Sequence, residues 1–175
     1  MPEEDLEHLV EDIQAGRDNI IVPEELVIEP EERPSSPERQ SMQQMIQNLK
    51  SGERLKLALR GNREARAILI RDTSLIVRRC VLFNPRVSEE EIVMLARNRQ
   101  VDRELLDVIC RSKEWLNNYQ VRLGIVTNPK TPITISLKYI GTLMMRDLRH
   151  MAKSKNVPSV VNSAAKRIVL RSAGG

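Results

Sequence analysis

The chain has 175 residues, enough for one domain or one domain with a tail, and its 2% aromatic content beside abundant Leu, Ile, Val, Met and Ala favours helices over sheets. No apolar window approaches membrane length, the start Met1-Pro2-Glu3-Glu4-Asp5 is unlike a secretory or mitochondrial leader, and Cys80 and Cys110 without CxxC spacing argue against a disulfide framework and for a reducing cytoplasm. The net charge of +4 hides a split: residues 1–45 carry 13 acids and 3 Lys/Arg, whereas residues 46–175 carry 25 Lys/Arg and 11 acids, so an anionic partner or tail-to-body contact is expected.

Leu6, Leu9, Val10 and Ile13 fall at i, i+3, i+4 and i+7, which predicts a short amphipathic helix over about 4–15, stopped by Gly16. Two apolar clusters follow, Ile20-Ile21-Val22 and Leu26-Val27-Ile28, separated by Pro23-Glu24-Glu25. Glu31–Pro37 then reads as a linker, because Pro breaks regular structure and the charge opposes collapse. Residues 1–37 therefore read as an acidic, largely disordered tail. Within it Leu6, Leu9, Val10, Ile13, Ile21, Val22, Leu26, Val27 and Ile28 form a motif that would fold on a partner or on the chain's own basic body.

Residues 38–175 read as a helical body. Ser35 and Glu38 have capping-box spacing, which predicts a helix to about Lys50. Short helices follow around Leu55–Leu59, closed by Gly61-Asn62, and over about Arg63–Arg71. Asp72-Thr73 opens the next, and Asn84-Pro85 ends it, since the residue before Pro is pushed out of the α region. Ser88 and Glu91 predict another capped start, followed by a helix from about Asp102 to Arg111. Glu114–Thr127 reads as one helix, stopped by Asn128-Pro129. Thr131-Pro132 then supplies an N-cap and a first-turn Pro for its successor. Helices over about Met144–Lys153 and from Pro158 onward complete the chain.

One stretch occurs twice. Val77-Arg78-Arg79-Cys80-Val81-Leu82-Phe83-Asn84-Pro85 returns as Val121-Arg122-Leu123-Gly124-Ile125-Val126-Thr127-Asn128-Pro129, a period of 44 residues. Another step of that length reaches Ala165-Lys166, with Val169 where Ile125 stood, a weaker third copy. A fixed period of this size marks stacked helical repeats, each burying its apolar face against its neighbours.

The Val-Arg-x-x-(Val/Ile)-x-x-Asn-Pro runs, clearest at Val121–Pro132, together with Leu95-Ala96, resemble the leucine-rich repeat variant family; Asp72 before Val77-Arg78 resembles the Asp and Val-Arg pairing of HEAT-like repeats. The likeness covers most of residues 50–172. It implies an all-α, right-handed α-solenoid of about three helical repeats after the acidic tail. The pattern departs at Leu116, which replaces the Asp72 position and leaves Asn117 or Asn118 to stand in, and at Val87-Ser88, which replaces Thr131-Pro132. The variant family can carry a cysteine-bound iron–sulfur cluster, but two cysteines cannot supply four ligands, so no cofactor is expected.

Arg78, Arg122 and Lys166 recur at one position of the repeat, with Arg79 and Arg167 beside them. They read either as a ladder of charges tying units together or as cations aimed at phosphate or an acidic peptide. Trp115 and Tyr119, at i and i+4, read as boundary residues or as partner anchors. His8 and His150 lack metal-ligand spacing, and Walker, GxSxG and HExxH motifs are absent, so no metal or catalytic residue is expected. The leading expectation is a non-catalytic, cytoplasmic adaptor or scaffold for protein–protein interaction with an acidic or amphipathic segment, its tail a second docking or autoinhibitory element. The alternative is binding of the DNA backbone by the basic repeat surface.

Overall fold

The computed structural model describes residues 3–32 and 34–173, with side chains described for 8–32 and 34–172. Among the described residues all regular structure is helical, and there is no strand. The chain divides into two compact units, Met1–Val87 and Ser88–Gly175.

The first unit contains α1 (Glu3–Ala15), a 3-10 turn (Glu24–Leu26), α2 (Ser36–Gln47), α3 (Ser51–Arg60), α4 (Arg63–Leu69) and α5 (Leu75–Leu82). Its leader differs from the expected flexible tail. Ile13 is 1% exposed and Leu26 0%, and both join Leu55, Leu57 and Leu59 of α3 in one core. Leu9, Val10, Val22 and Val27 pack against that core, whereas Ile21 and Ile28 are exposed. Leu6 falls outside the described side chains.

The acidic leader docks because α3 offers an apolar face flanked by cations. The Arg60 guanidinium donates to the Ile13 and Gln14 carbonyls at 3.1 and 2.5 Å, at the end of α1, where the Ile13 carbonyl also accepts the Gly16 amide at 3.2 Å. The Lys56 ammonium donates to Asp18 at 2.8 Å and to the Ile20 carbonyl at 2.6 Å. Partial burial pushes the Asp18 carboxyl up, but the bonds from Lys56 and the Ile20 amide together outweigh it and hold the group below its usual range. Fully buried Asn62 donates to the Glu25 and Ile28 carbonyls, each at 2.8 Å, while its own carbonyl caps α4 through Ala65 N–H at 2.9 Å. One side chain thus fixes the 3-10 turn to the α3–α4 corner.

The second unit contains α6 (Glu89–Arg97), α7 (Arg103–Arg111), α8 (Lys113–Asn117), α9 (Tyr119–Thr127), α10 (Ile133–Ile140), α11 (Met145–Lys153) and α12 (Ser159–Ala173). The helix expected over Glu114–Thr127 is two. Asn118 leaves helical geometry at ψ 122°, and its side-chain oxygen accepts the Gln120 and Val121 amides at 2.8 and 3.4 Å, restarting the chain as a new N-cap. The capping box at Ser88–Glu91 forms in both directions, whereas at Ser35 the Glu38 carboxylate accepts the Ser35 amide and hydroxyl at 2.7 and 2.8 Å and the Ser35 oxygen caps no amide.

The two copies of the repeated stretch occupy matching settings within their own units. Val77 and Val121 are both buried, as are Val81 and Ile125, and Leu82 and Val126. Asn84 is 2% exposed and its amide donates to the Ala58 and Gly61 carbonyls at 3.0 and 3.1 Å. Asn128 is 3% exposed and donates to the Ala96 and Asn98 carbonyls at 2.9 and 3.0 Å. In each case the side chain closes the C-terminus of an earlier helix, and its oxygen accepts the amide two residues on.

At the position matching Cys80, α9 carries Gly124. A Cβ built there would lie 2.9 Å from the Ala96 Cβ and 3.2 Å from the Ala96 carbonyl carbon, so α6 and α9 meet backbone to backbone. Gly124→Val is expected to cost about 2 kcal/mol by overpacking. Gly141→Ala, where no atom lies within 4 Å of the new methyl, serves as the neutral control. Equal urea midpoints for the two variants would contradict this packing.

Candidate interaction surface

In the second unit, α11 and α12 form a helical pair around Leu148, Met151, Val161, Ala164 and Ala165. Asn162 secures it by donating to the Met151 and Ser154 carbonyls at 2.7 and 3.1 Å, which closes the end of α11. The opposite faces are cationic. Arg146, Arg149 and Lys153 lie at i, i+3 and i+7 on α11, Lys155 follows it, and α12 carries Lys166, Arg167 and Arg171; all are exposed. Asp147 is the sole acid between residues 145 and 172.

Asp147 is itself engaged. It accepts the Tyr119 hydroxyl and lies 3.6 Å from Arg146. The same hydroxyl accepts the Met144 amide at 3.2 Å, so Tyr119 ties α9 to the start of α11. Partial burial, then the bond to Asp147, pushes the Tyr119 phenol above its ordinary value. No described acid lies within ion-pair distance of Arg149, Lys153, Lys155, Lys166, Arg167 or Arg171. Met144, Val160 and Leu170 are exposed at 54%, 42% and 72%, adding apolar tips to this cationic region.

The recurring cations diverge. Arg122 is half-buried, donates to the Leu116 and Asn117 carbonyls at 2.6 and 2.8 Å, and sits 5.7 Å from the Tyr119 ring centre. It closes α8 and braces Tyr119. Arg78 is half-buried and engaged, while Arg79, Lys166 and Arg167 are exposed. Trp115 and Tyr119 are half-buried boundary residues. Asp72 lies 3.6 Å from Arg54 and accepts the Ser74 amide at 2.8 Å.

The α11 stripe is absent from the candidate residues named on sequence grounds, although its helical spacing is legible there. A second feature has no sequence signal: an open groove of about 510 Å³ at the start of α10, lined by Arg103, Pro129, Lys130, Thr131, Pro132, Ile133 and Thr134. Ile133 and Leu137, one turn apart on α10, are exposed at 49% and 39% beside it.

Burial pushes both thiols up to about 11, with Asp107 adding to the effect at Cys110, so neither is a thiolate at neutral pH. Among the described residues no group of three or more His, Cys, Asp or Glu could hold a metal, and no helix is long and apolar enough to cross a membrane. Compared with protein-family models, with curated proteins and with solved structures, the chain matches none.

Proposed function

We propose that the chain is a non-catalytic helical-repeat adaptor whose second unit binds an acidic, amphipathic segment of another protein. The observation that carries this reading is the cationic surface of α11, α12 and the turn between them, where six exposed Lys and Arg have no acidic partner among the described residues and the same helices expose Val160 and Leu170. Acidic residues of a partner would supply the missing counter-charges, and its apolar residues would cover Leu170 and Val160. We read the matching settings of the 77–85 and 121–129 copies as belonging to an α-solenoid of about three HEAT-like or leucine-rich-variant repeats. The two free thiols suit the reducing cytoplasm. On the described leader, Ile21 and Ile28 are large apolar residues left exposed for a second docking contact.

Lys153→Glu combined with Arg167→Glu is expected to weaken an acidic amphipathic peptide by about tenfold or more at low salt. Fluorescence anisotropy measures it, with circular dichroism confirming the helical content of the variant. Failure of the peptide to bind the unaltered chain would end this reading. The same unpaired cations favour the DNA backbone as the second reading. A duplex retained in its place, with an affinity falling steeply as salt rises, would select it.

A further inference from the structure

We propose that the groove at the start of α10 is a phosphate-binding site. At this helix start Pro132 occupies the capping position and offers no side-chain oxygen, so no side chain caps α10. The amides of Ile133 and Thr134, which line the groove, are among the donors that a helix start leaves open. The independent observation is Thr131. It is 5% exposed, it lines the same groove, and its hydroxyl has no hydrogen-bond partner among the described residues. A buried hydroxyl is ordinarily satisfied, so this one marks where a ligand oxygen belongs.

Two cations complete the site. Arg103 and Lys130 line the groove, and neither meets a carboxylate within ion-pair distance among the described residues. The Lys130 ammonium donates to the Gln100 carbonyl at 3.2 Å and keeps further N–H donors for a second acceptor. Main-chain amides at a helix start, a hydroxyl, a guanidinium and an ammonium outnumber the acceptors of a carboxylate. They match the several oxygens and double charge of a phosphate. Pro129, Pro132 and Ile133 form an apolar wall against which the carrier of the phosphate would lie, which favours a phosphorylated peptide over the free ion. This site does not depend on the α11–α12 reading, and its test uses different residues.

Inorganic phosphate titrated into the isotope-labelled full chain, with chloride exchanged to hold ionic strength, is expected to move the Thr131, Ile133 and Thr134 amide resonances saturably. Arg103→Gln with Lys130→Gln should weaken that response about tenfold, as loss of two charge-assisted contacts would, while the remaining spectrum stays in place. Thr131→Val, which keeps the shape and removes the hydroxyl, should weaken it several-fold. A phosphoserine peptide in a parallel titration should saturate the same amides at lower concentration than the free ion. No saturable movement, movement that survives the double substitution, or equal saturation by acetate would each overturn the assignment. A short DNA duplex that moves these amides where the peptide does not would overturn the peptide as carrier.

Discussion

Leu26→Ala is expected to lower the unfolding free energy by about 3 kcal/mol, although it lies in a segment whose sequence reads as part of a flexible tail. Leu26 is 0% exposed in the core of the first unit, packed with Ile13 and the apolar face of α3. Truncation removes the transfer energy of the side chain and leaves a cavity that the turn cannot close, because Asn62 holds the carbonyls of Glu25 and Ile28 on either side. Ile21→Ala provides the contrast: that side chain is 87% exposed and its loss should be nearly silent. Urea unfolding of the two variants measures the difference. Equal midpoints would mean that the leader is not part of the folded unit. The same result bears on autoinhibition, since a leader anchored by buried Leu and Ile cannot leave to expose a ligand surface without destabilising its own unit.

The second large effect concerns the repeated asparagines. Asn84→Ala and Asn128→Ala should each cost about 2 kcal/mol, because each removes two hydrogen bonds and takes the side-chain donor from a helix-end carbonyl, Ala58 or Ala96, while the Gly61 carbonyl keeps Arg66 and the Asn98 carbonyl keeps the Val101 amide. Asn128→Asp is the sharper test. It keeps the shape and the acceptor, which receives the Lys130 amide, but turns a carboxylate toward the Ala96 and Asn98 carbonyls. That setting disfavours the charged form, so the new carboxyl has a folded pKa above its unfolded value. Relative to the unaltered protein, the variant should therefore be least stable at neutral pH. It should recover as the pH falls through its raised pKa, where the protonated acid can donate one bond. Parallel stability curves for the two proteins from neutral to acidic pH would show that Asn128 does not act through its donors. Exposed Asn98, whose side chain receives the Gln100 amide and no other group among the described residues, is the control position.

These asparagines mark the limit of what a linear pattern carries. The Asn-Pro spacing locates the helix ends, because a residue before Pro is held out of the α region by local sterics alone. It does not reveal that the Asn side chains reach carbonyls 23 to 32 positions earlier, since that contact exists only after the helices pack. Asn118 divides α8 from α9 for a related reason. Apolar periodicity runs on through Glu114–Thr127, but a side-chain oxygen in reach of two amides competes with continuing the helix.

Composition and local pattern were enough for the all-helical character, the helix starts at Ser35 and Ser88, the recurrence of one stretch after 44 residues, and the excess of cations after residue 45. Each of those properties depends on near neighbours along the chain. Which charges are free depends on packing instead. Arg122 closes α8, and Lys56 and Arg60 hold the acidic leader, while Lys153, Arg167 and Arg171 face no described acid. Packing also left the Thr131 hydroxyl buried, with no partner among the described residues, in a residue that lines a groove. The physical reason is that a charge or hydroxyl has the same local signature whether or not something meets it, and only the folded arrangement brings the answering group within bonding distance.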